Sequence, residues 1–202
     1  MKYNLLFSNY PFIKCDQVTL NRITDLDLRS LWEIMSDDDN YRYSPTRAMQ
    51  SKSSLRIYFQ RMESLFVEKK RIILGIYANI HLSKLIGILE ISNIDVHAAK
   101  LEIHIILNRR YSGMGFAQSA LSGLERYLFG TIGANRIEAY VMPINLRCQR
   151  LMNRCGFIKE GTIREGFYWP DKGLVDLDLF SILYSDYVGM IEESKNSGKS
   201  VF

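Results

Sequence analysis

Residues 112–117 form a glycine-containing segment whose composition suits the binding of an anion. The segment follows a strand-like stretch, opens a helical pattern and holds Gly113 and Gly115 two positions apart. Glycines let the backbone approach a ligand closely, and the first free amides of a helix point at it with the helix dipole behind them. The segment is therefore a candidate phosphate site, with simple turn chemistry as the alternative. Because residue 118 is Gln where the dinucleotide-binding fingerprint has a third glycine, we do not expect a dinucleotide fold.

The elements that would position this segment follow from the spacing of apolar residues. Before it, one strand and two helices precede three strands joined by short polar turns at 81–83 and 96–98, a pattern typical of an antiparallel meander. After it, a long helix ends near Gly130 and Gly133, and strands alternate with one short helix. The predicted strands are 18–23, 71–79, 84–95, 99–108, 136–142, 157–161 and 177–184; the other predicted helices are 28–35, 55–66 and 145–155.

Length and composition indicate one globular domain. The chain has 202 residues, of which 47% are hydrophobic and 24% charged, and this excludes a disordered or low-complexity chain. The three cysteines are odd in number and lack metal-ligand spacing, so we expect neither a disulfide scaffold nor a metal site. The N-terminus lacks a signal-peptide pattern and no apolar run approaches roughly 18 residues, so we expect a cytoplasmic protein without a membrane partner.

Four stretches taken together resemble the GNAT superfamily of acetyl-CoA-dependent N-acetyltransferases. They are residues 107–121, residues 136–139, Asn145 with Cys148 three residues on, and residues 155–161. The chain most resembles the RimJ/RimL-type branch, which acetylates ribosomal-protein N-termini and includes relatives that act on small amines. The resemblance implies the α/β GNAT (acyl-CoA N-acyltransferase) fold, with a mixed, mostly antiparallel sheet flanked by helices. We expect a single domain of this type over 1–191 and a flexible tail over 192–202.

The resemblance implies acetyl-CoA as co-substrate and assigns residues to it. The family signature Gln/Arg-x-x-Gly-x-Gly/Ala matches literally from Arg110, whereas the alignment we prefer places Ser112 at its first position. In either register, amides 113–117 would hold the pyrophosphate. Asn145 would contact the pantetheine arm, and the end of the preceding strand would pair with that arm as with an added strand. The expected cofactor residues are Ile105, Ile106, Leu107, Ser112, Gly113, Met114, Gly115, Phe116, Ala117 and Asn145.

Two residues on the strand before the glycine segment are candidates for the catalytic base that amine acetylation needs. Glu102 lies where family members commonly place a glutamate that acts directly or through water. His104, two residues on and on the same face of the strand, is the second candidate. The alternative for Glu102 is a solvated strand residue without a catalytic role.

Cys148 is the candidate acid for the leaving thiolate. Many relatives have a tyrosine in the helix after Asn145, but residue 152 is Met, and the RimJ/RimL branch favours a serine where this chain has Cys148. A thiol with an ordinary pKa of roughly 8.5 could donate its proton to the departing sulfur. The alternative is that Cys148 packs as a small apolar residue, as most free cysteines do.

The loop after the first predicted helix borders the acceptor site in this family. Its acidic run at 37–39 could seat a cationic amine, or it could simply end a helix in solvent. The residues expected to bind the acceptor are Asp38, Tyr41 and Tyr43. A protein N-terminus, a polyamine and an amine-bearing metabolite or antibiotic are all open as acceptors. An exposed late strand could pair with a second copy to give a homodimer.

Two rival functions use the same residues. A catalytically silent acyl-CoA-binding or sensory module is favoured by the missing tyrosine and by the cysteine at 148. Nucleic-acid binding could use Arg147, Arg150 and Arg154. The net charge is +4, and residues 109–154 alone hold seven arginines, no lysine and two glutamates, a net +5. Because this basic segment would face a phosphate-rich cofactor, we expect CoA rather than a nucleic acid as its partner.

Overall fold

The computed structural model describes residues 1–44, 46–80, 84–169 and 172–197, and within these ranges the strands form one eight-stranded sheet. The strands are β1 (Ile13–Lys14), β2 (Val18–Arg22), β3 (Ile72–Ala78), β4 (Lys84–Asp95), β5 (Lys100–Leu107), β6 (Arg136–Val141), β7 (Ile158–Trp169) and β8 (Gly173–Leu183). Their order is β1-β2-β3-β4-β5-β6-β8-β7. Neighbours are antiparallel except β5 and β6, which are parallel.

Helices lie on both faces of this sheet. They are α1 (Tyr3–Leu6), α2 (Leu28–Met35), α3 (Lys52–Val67), α4 (Phe116–Glu125), α5 (Leu146–Arg154) and α6 (Tyr184–Ser197), and α4 continues as a π-helical segment over Arg126–Ile132. Short 3₁₀ turns cover Asp25–Asp27, Asp38–Tyr41 and Arg109–Tyr111. The mixed, mostly antiparallel sheet with flanking helices confirms the fold class expected from the sequence.

The parallel junction of β5 and β6 opens the sheet. The two strands pair only from Lys100 with Arg136 to Glu102 with Glu138. Beyond Glu102, β5 continues along β4 to the pair of Leu107 with Gly87, while β6 continues along β8. The ends of β5 and β6 therefore diverge, and the edge of β5 that faces β6 has no strand partner over 105–107.

Two apolar cores hold the sheet between its helices. One core joins α4 and α6 to one face of β3, β4 and β5, and the other joins α2 and α3 to the opposite face. Because both faces are covered, β3 is buried along its whole length. Fully buried residues of the first core include Leu74, Ile76, Leu89, Leu121 and Leu124, and those of the second include Leu31 and Ile34.

The ends of α5 follow directly from its sequence. Asn145 caps its start, because the Oδ1 atom accepts a hydrogen bond from the Cys148 amide at 3.1 Å. The helix is followed by Gly156, whose φ is +79°. The left-handed backbone favours glycine there, and a Cβ atom would in addition displace the end of the Met190 side chain on α6, whose Sδ would lie 2.3 Å away.

The hairpin of β7 and β8 is longer than the sequence predicts. The side chains of β7 are exposed along almost its whole length, so the strand shows no hydrophobic alternation. Its register against β8 also shifts twice, between Lys159 and Gly161 and between Ile163 and Phe167. These irregularities hide the strand from a search for regular spacing.

The two ends of the chain also hold structure that the sequence did not indicate. α1 buries Leu6 completely, and β1 pairs with β2. α6 runs to Ser197, so positions 192–197 of the expected tail are helical, while 198–202 and the predicted turn at 81–83 lie outside the described residues. No helix within the described ranges combines the length and the apolar character needed to cross a membrane.

Candidate active site

A cavity of about 840 Å³ lies where β5 and β6 diverge, within the volume of roughly 300–1,000 Å³ that small-molecule sites occupy. Its walls are the end of β5, the Arg109–Tyr111 turn, the start of α4, and one side of α5. Of the expected cofactor residues, those that line it are Ile105, Ile106, Leu107, Ser112, Gly113, Gly115, Phe116, Ala117 and Asn145. Met114 is 57% exposed and does not line it.

The glycine segment lines this cavity with backbone amides that have no hydrogen-bond partner among the described residues. Gly113 and Gly115 both have left-handed backbones, with φ of +83° and +85°, which residues with a Cβ rarely adopt. Gly115 is the N-cap of α4 and supplies no capping side chain, so the first amides of the helix have no partner within it. A site with free amides and the positive end of a ten-residue helix fits a phosphate group.

A smaller chamber of about 110 Å³ adjoins the main cavity. Asn40, Tyr43, Asn145 and Cys148 line both spaces, so they lie where the two meet. Further lining residues of the chamber are Ser44, His104, Tyr140, Met142 and Met152. A long ligand in the main cavity and a second molecule in the chamber would therefore meet beside Asn145 and Cys148.

His104 and Glu102 point from the same face of β5, but only His104 reaches the chamber. Burial, followed by the positive charge of Arg71, lowers the pKa of His104 to about 4. The ring is therefore neutral at pH 7, and the same shift makes it a weaker base than an ordinary imidazole. Glu102 lines neither space, and its Oε2 atom accepts a hydrogen bond from Asn93 Nδ2 at 2.6 Å. Of the two candidate bases that the sequence predicts on this face of β5, only His104 therefore contacts the chamber.

Cys148 lies at the boundary of the two spaces, where an acid for a leaving sulfur would have to be. Burial raises the pKa of its thiol to about 11. This value exceeds the roughly 8.5 assumed from the sequence, and proton transfer from such a thiol to an ordinary thiolate is unfavourable. The raised pKa favours the packing role over the acid role. Met152, at the position of the family tyrosine, is buried and has no proton to donate.

The acidic run is engaged in ion pairs. Asp37 and Asp39 both contact the Arg109 guanidinium, and Asp39 also contacts Arg42 at 2.8 Å. Asp38 lines neither space, whereas Asn40, which the sequence did not single out, lines both. The run therefore connects its own loop to the Arg109–Tyr111 turn that precedes the glycine segment, in addition to lying near the chamber.

The two tyrosines expected at the acceptor site differ in position. Tyr43 lines both spaces and is 38% exposed. Tyr41 packs in the core beneath α2 and α3, and its hydroxyl has no hydrogen-bond partner among the described residues. Tyr140, which the sequence did not single out, lines the chamber from β6. Alternation along β6 is the signal that could have found it.

The described residues contain no group of three or more histidine, cysteine, aspartate or glutamate side chains placed to hold a metal ion.

The chain belongs to the GNAT acetyltransferase family. It matches the family described as acetyltransferase (GNAT) domain over residues 17–158. An uncharacterized N-acetyltransferase, p20, of Bacillus licheniformis is 31% identical over 175 residues, which cover 86% of this chain and 97% of that protein. The resemblance drawn from the glycine segment and from Asn145 is thereby confirmed.

Solved structures show the same fold. Spermidine N-acetyltransferase from Vibrio cholerae in complex with CoA and spermine superposes with a TM-score of 0.74 at 23% identity, covering 85% of this chain and 98% of that chain. Mycobacterium smegmatis RimJ in complex with CoA-disulfide gives a TM-score of 0.77 at 18% identity, covering 89% of this chain and 94% of that chain. Both likenesses show that the chain has the fold of these acetyltransferases.

Proposed function

We propose that the protein transfers the acetyl group of acetyl-CoA to a primary amine by direct attack within a ternary complex. The observation that carries this proposal is that the main cavity, which contains an uncapped helix N-terminus, adjoins the chamber, which His104 lines. Asn145 and Cys148 lie between them. A thioester held in the first space would face an amine held in the second. Membership of an acetyltransferase family supports this reaction.

The residues of the main cavity fit CoA chemically. The free amides of segment 113–117 would hold its pyrophosphate. The edge of β5 that lacks a strand partner over 105–107 would pair with the amides of the pantetheine arm. Asn145 uses its Oδ1 atom to cap α5, which leaves its Nδ2 group to donate to the same arm. The complex of the similar Vibrio cholerae enzyme with CoA supports this assignment.

His104 is the proposed base. When bound, acetyl-CoA supplies the electrophilic carbonyl carbon and the leaving thiolate. His104 would take the proton that the amine nitrogen loses as its bond to that carbon forms, and the thiolate would be protonated by Cys148 or by water. Because burial disfavours charge in this chamber, it also favours the neutral form of a bound amine. Glu102 would act only through intervening water, since it does not line the chamber.

The acceptor would lie against Tyr43, Asn40 and Tyr140 of the chamber. A protein N-terminus, a polyamine and an amine-bearing metabolite or antibiotic would each supply the required primary amine. The similarity to a spermidine N-acetyltransferase supports testing polyamines first. However, Asp37 and Asp39 are already paired with Arg109, so they are not free carboxylates for a second ammonium group.

Release of free thiol from acetyl-CoA, measured with a panel of N-terminal peptides, polyamines and amine metabolites, tests this function. We expect release that depends on one class of amine, with mass spectrometry showing one acetyl group on the product. Binding of acetyl-CoA without turnover on any amine would favour the silent acyl-CoA-binding module. No turnover and no acetyl-CoA binding would refute both.

We also propose that two copies pair through β7 in the cytoplasm. β7 is an edge strand, and its exposed apolar side chains include Ile158, Ile163 and Tyr168. The three free cysteines are compatible with a reducing compartment. Sedimentation of the protein and of an Ile163→Lys variant tests the pairing: we expect a dimer that the variant shifts to monomer, and a monomeric unaltered protein would contradict it.

A further inference from the structure

α5 places three arginines along one side of the main cavity. Arg147, Arg150 and Arg154 lie three and four residues apart, which puts them within about 60° of one another around the helix. All three are exposed and all three line the cavity that holds the glycine segment. Within the described ranges, none of the three guanidinium groups has an ion-pair or hydrogen-bond partner.

Other arginines of the basic segment are engaged elsewhere. Arg109 pairs with the acidic run, and Arg136 pairs with Glu138 and Glu160 at 2.6 Å each. Arg126 donates to the Lys14 carbonyl oxygen. Arg42 and Arg109, the other arginines that line the cavity, are both paired with the acidic run, so the unpaired arginines of this cavity lie on α5. Because like charges one turn apart on a helix repel, an anion bound between them would be stabilised.

The order of groups along the cavity indicates which anion this is. Asn145, at the start of α5, lies at the junction with the chamber, where the proposed function places the thioester end of CoA. Arg150 and Arg154 lie one and two turns farther from Asn145 than Arg147 does. They are therefore on the side of the cavity where the phosphate end of the ligand would lie.

The glycine segment accounts for only part of the ligand's charge. Its amides would hydrogen-bond to the pyrophosphate, but CoA carries a further phosphomonoester on the ribose 3′ oxygen, which is mostly a dianion at pH 7. A guanidinium group binds such a phosphate through two parallel hydrogen bonds. We propose that Arg150 and Arg154 bind the 3′-phosphate of CoA, so that the protein discriminates CoA from 3′-dephospho-CoA. This assignment rests on the proposed function.

Calorimetric titration with CoA and with 3′-dephospho-CoA tests the assignment without measuring catalysis. We expect the unaltered protein to bind CoA at least about tenfold more tightly, since one charge-assisted phosphate contact contributes roughly that much. The double variant Arg150→Gln/Arg154→Gln should lose about tenfold or more in affinity for CoA and change less than about twofold toward the dephospho form. Affinities for the two ligands would then become similar.

Arg56→Gln/Arg164→Gln is the matched control, because it removes two exposed arginines that line neither space. This control variant should still bind CoA more tightly than 3′-dephospho-CoA, as the unaltered protein does. Circular dichroism should show that both double variants are folded. Equal weakening of both ligands by the α5 variant, or no weakening of either, would overturn the assignment. Salt-dependent RNA binding by α5 that CoA does not displace would overturn it as well. If the unaltered protein bound neither ligand, the proposed function would fail and this assignment with it.

Discussion

Arg109 Nη1 donates a hydrogen bond to Asp39 Oδ2 at 2.5 Å and thereby joins the turn before the glycine segment to the loop whose Asn40 and Tyr43 line the chamber. Nε of the same guanidinium lies 3.1 Å from Asp37, and the Arg109 amide donates to Asn40 Oδ1 at 3.0 Å. Because Asn40 lines both spaces, the position of the acceptor loop is coupled to the start of the proposed cofactor segment.

Arg109→Gln should therefore impair acceptor binding more than folding. The ion pair is largely exposed, so we expect unfolding free energy to fall by less than about 1 kcal/mol, while the KM for the amine rises about three- to tenfold. Asp39→Asn added to Arg109→Gln should cause little further change, since the two residues act as one unit. Steady-state kinetics and urea unfolding measure these effects. Arg29→Gln, which removes another exposed pair, is the control; a rise in the KM for acetyl-CoA alone would contradict the coupling.

His104→Gln should slow turnover by about 100-fold or more, because it removes the proposed base from the chamber. Acetyl-CoA affinity, measured by calorimetry, should stay within about twofold. Glu102→Gln, on the same face of β5 but outside the chamber, is the matched variant and should retain turnover within about threefold of normal in steady-state kinetics. The opposite ranking of the two variants would establish Glu102 as the base.

The buried imidazole also makes stability dependent on pH. The pKa of His104 is about 4 in the folded protein and roughly 6.5 in an unfolded chain, so the unfolded chain binds the extra proton more readily. The neutral His104 ring therefore makes its full contribution to the free energy of unfolding above pH 6.5, and this contribution is lost as the pH falls toward 4. In urea unfolding, the free energy of unfolding of His104→Gln should change between pH 6.5 and pH 4 by up to about 3 kcal/mol less than that of the unaltered protein. An unchanged slope in His104→Gln would rule out the shift.

Glu125 should have the opposite pH dependence. The side chain is buried in α4, its Oε1 atom has no hydrogen-bond partner among the described residues, and burial raises its pKa to about 8. The folded protein keeps the proton of the Glu125 carboxyl group, whereas the unfolded chain loses it above roughly pH 4.3. Stability therefore falls as the pH rises from about 4.3 to 8. The free energy of unfolding of Glu125→Gln, taken relative to that of the unaltered protein, should therefore rise by about 3 kcal/mol between pH 5 and pH 8. Chemical unfolding at both pH values measures this gain, and its absence would contradict the raised pKa of Glu125.

Cys148→Ala distinguishes the acid role from the packing role. Because burial raises the pKa of the thiol to about 11, we expect turnover within about threefold of normal and unchanged acetyl-CoA binding. Truncating the half-buried side chain should cost about 1 kcal/mol of stability. If turnover instead slowed by about 100-fold or more and Cys148→Ser restored part of it, the thiol would be the acid.

Much of the fold and of the cofactor site could be predicted from local sequence. Alternating apolar residues identified 84–95 as a strand with the bounds that β4 has, and Asn145 with Gly156 marked the ends of α5. The glycine segment was equally clear, because left-handed glycines and an uncapped helix start are local properties of the backbone. β7 escaped prediction because its exposed, irregular course produces no periodic signal.

The proposed acceptor site could be located only from the tertiary structure. Spacing along β5 placed Glu102 and His104 on one face, but only the divergence of β6 beyond Glu138 decided which of them meets a cavity. Likewise, the acidic run and Arg109 are 70 residues apart, and no local pattern pairs them. By itself, the sequence determined the family, the order of most central elements and the position of the glycine segment, because these depend on neighbouring residues. The tertiary structure decided which side chains face the acceptor and which charges remain free, because those depend on contacts between distant parts of the chain.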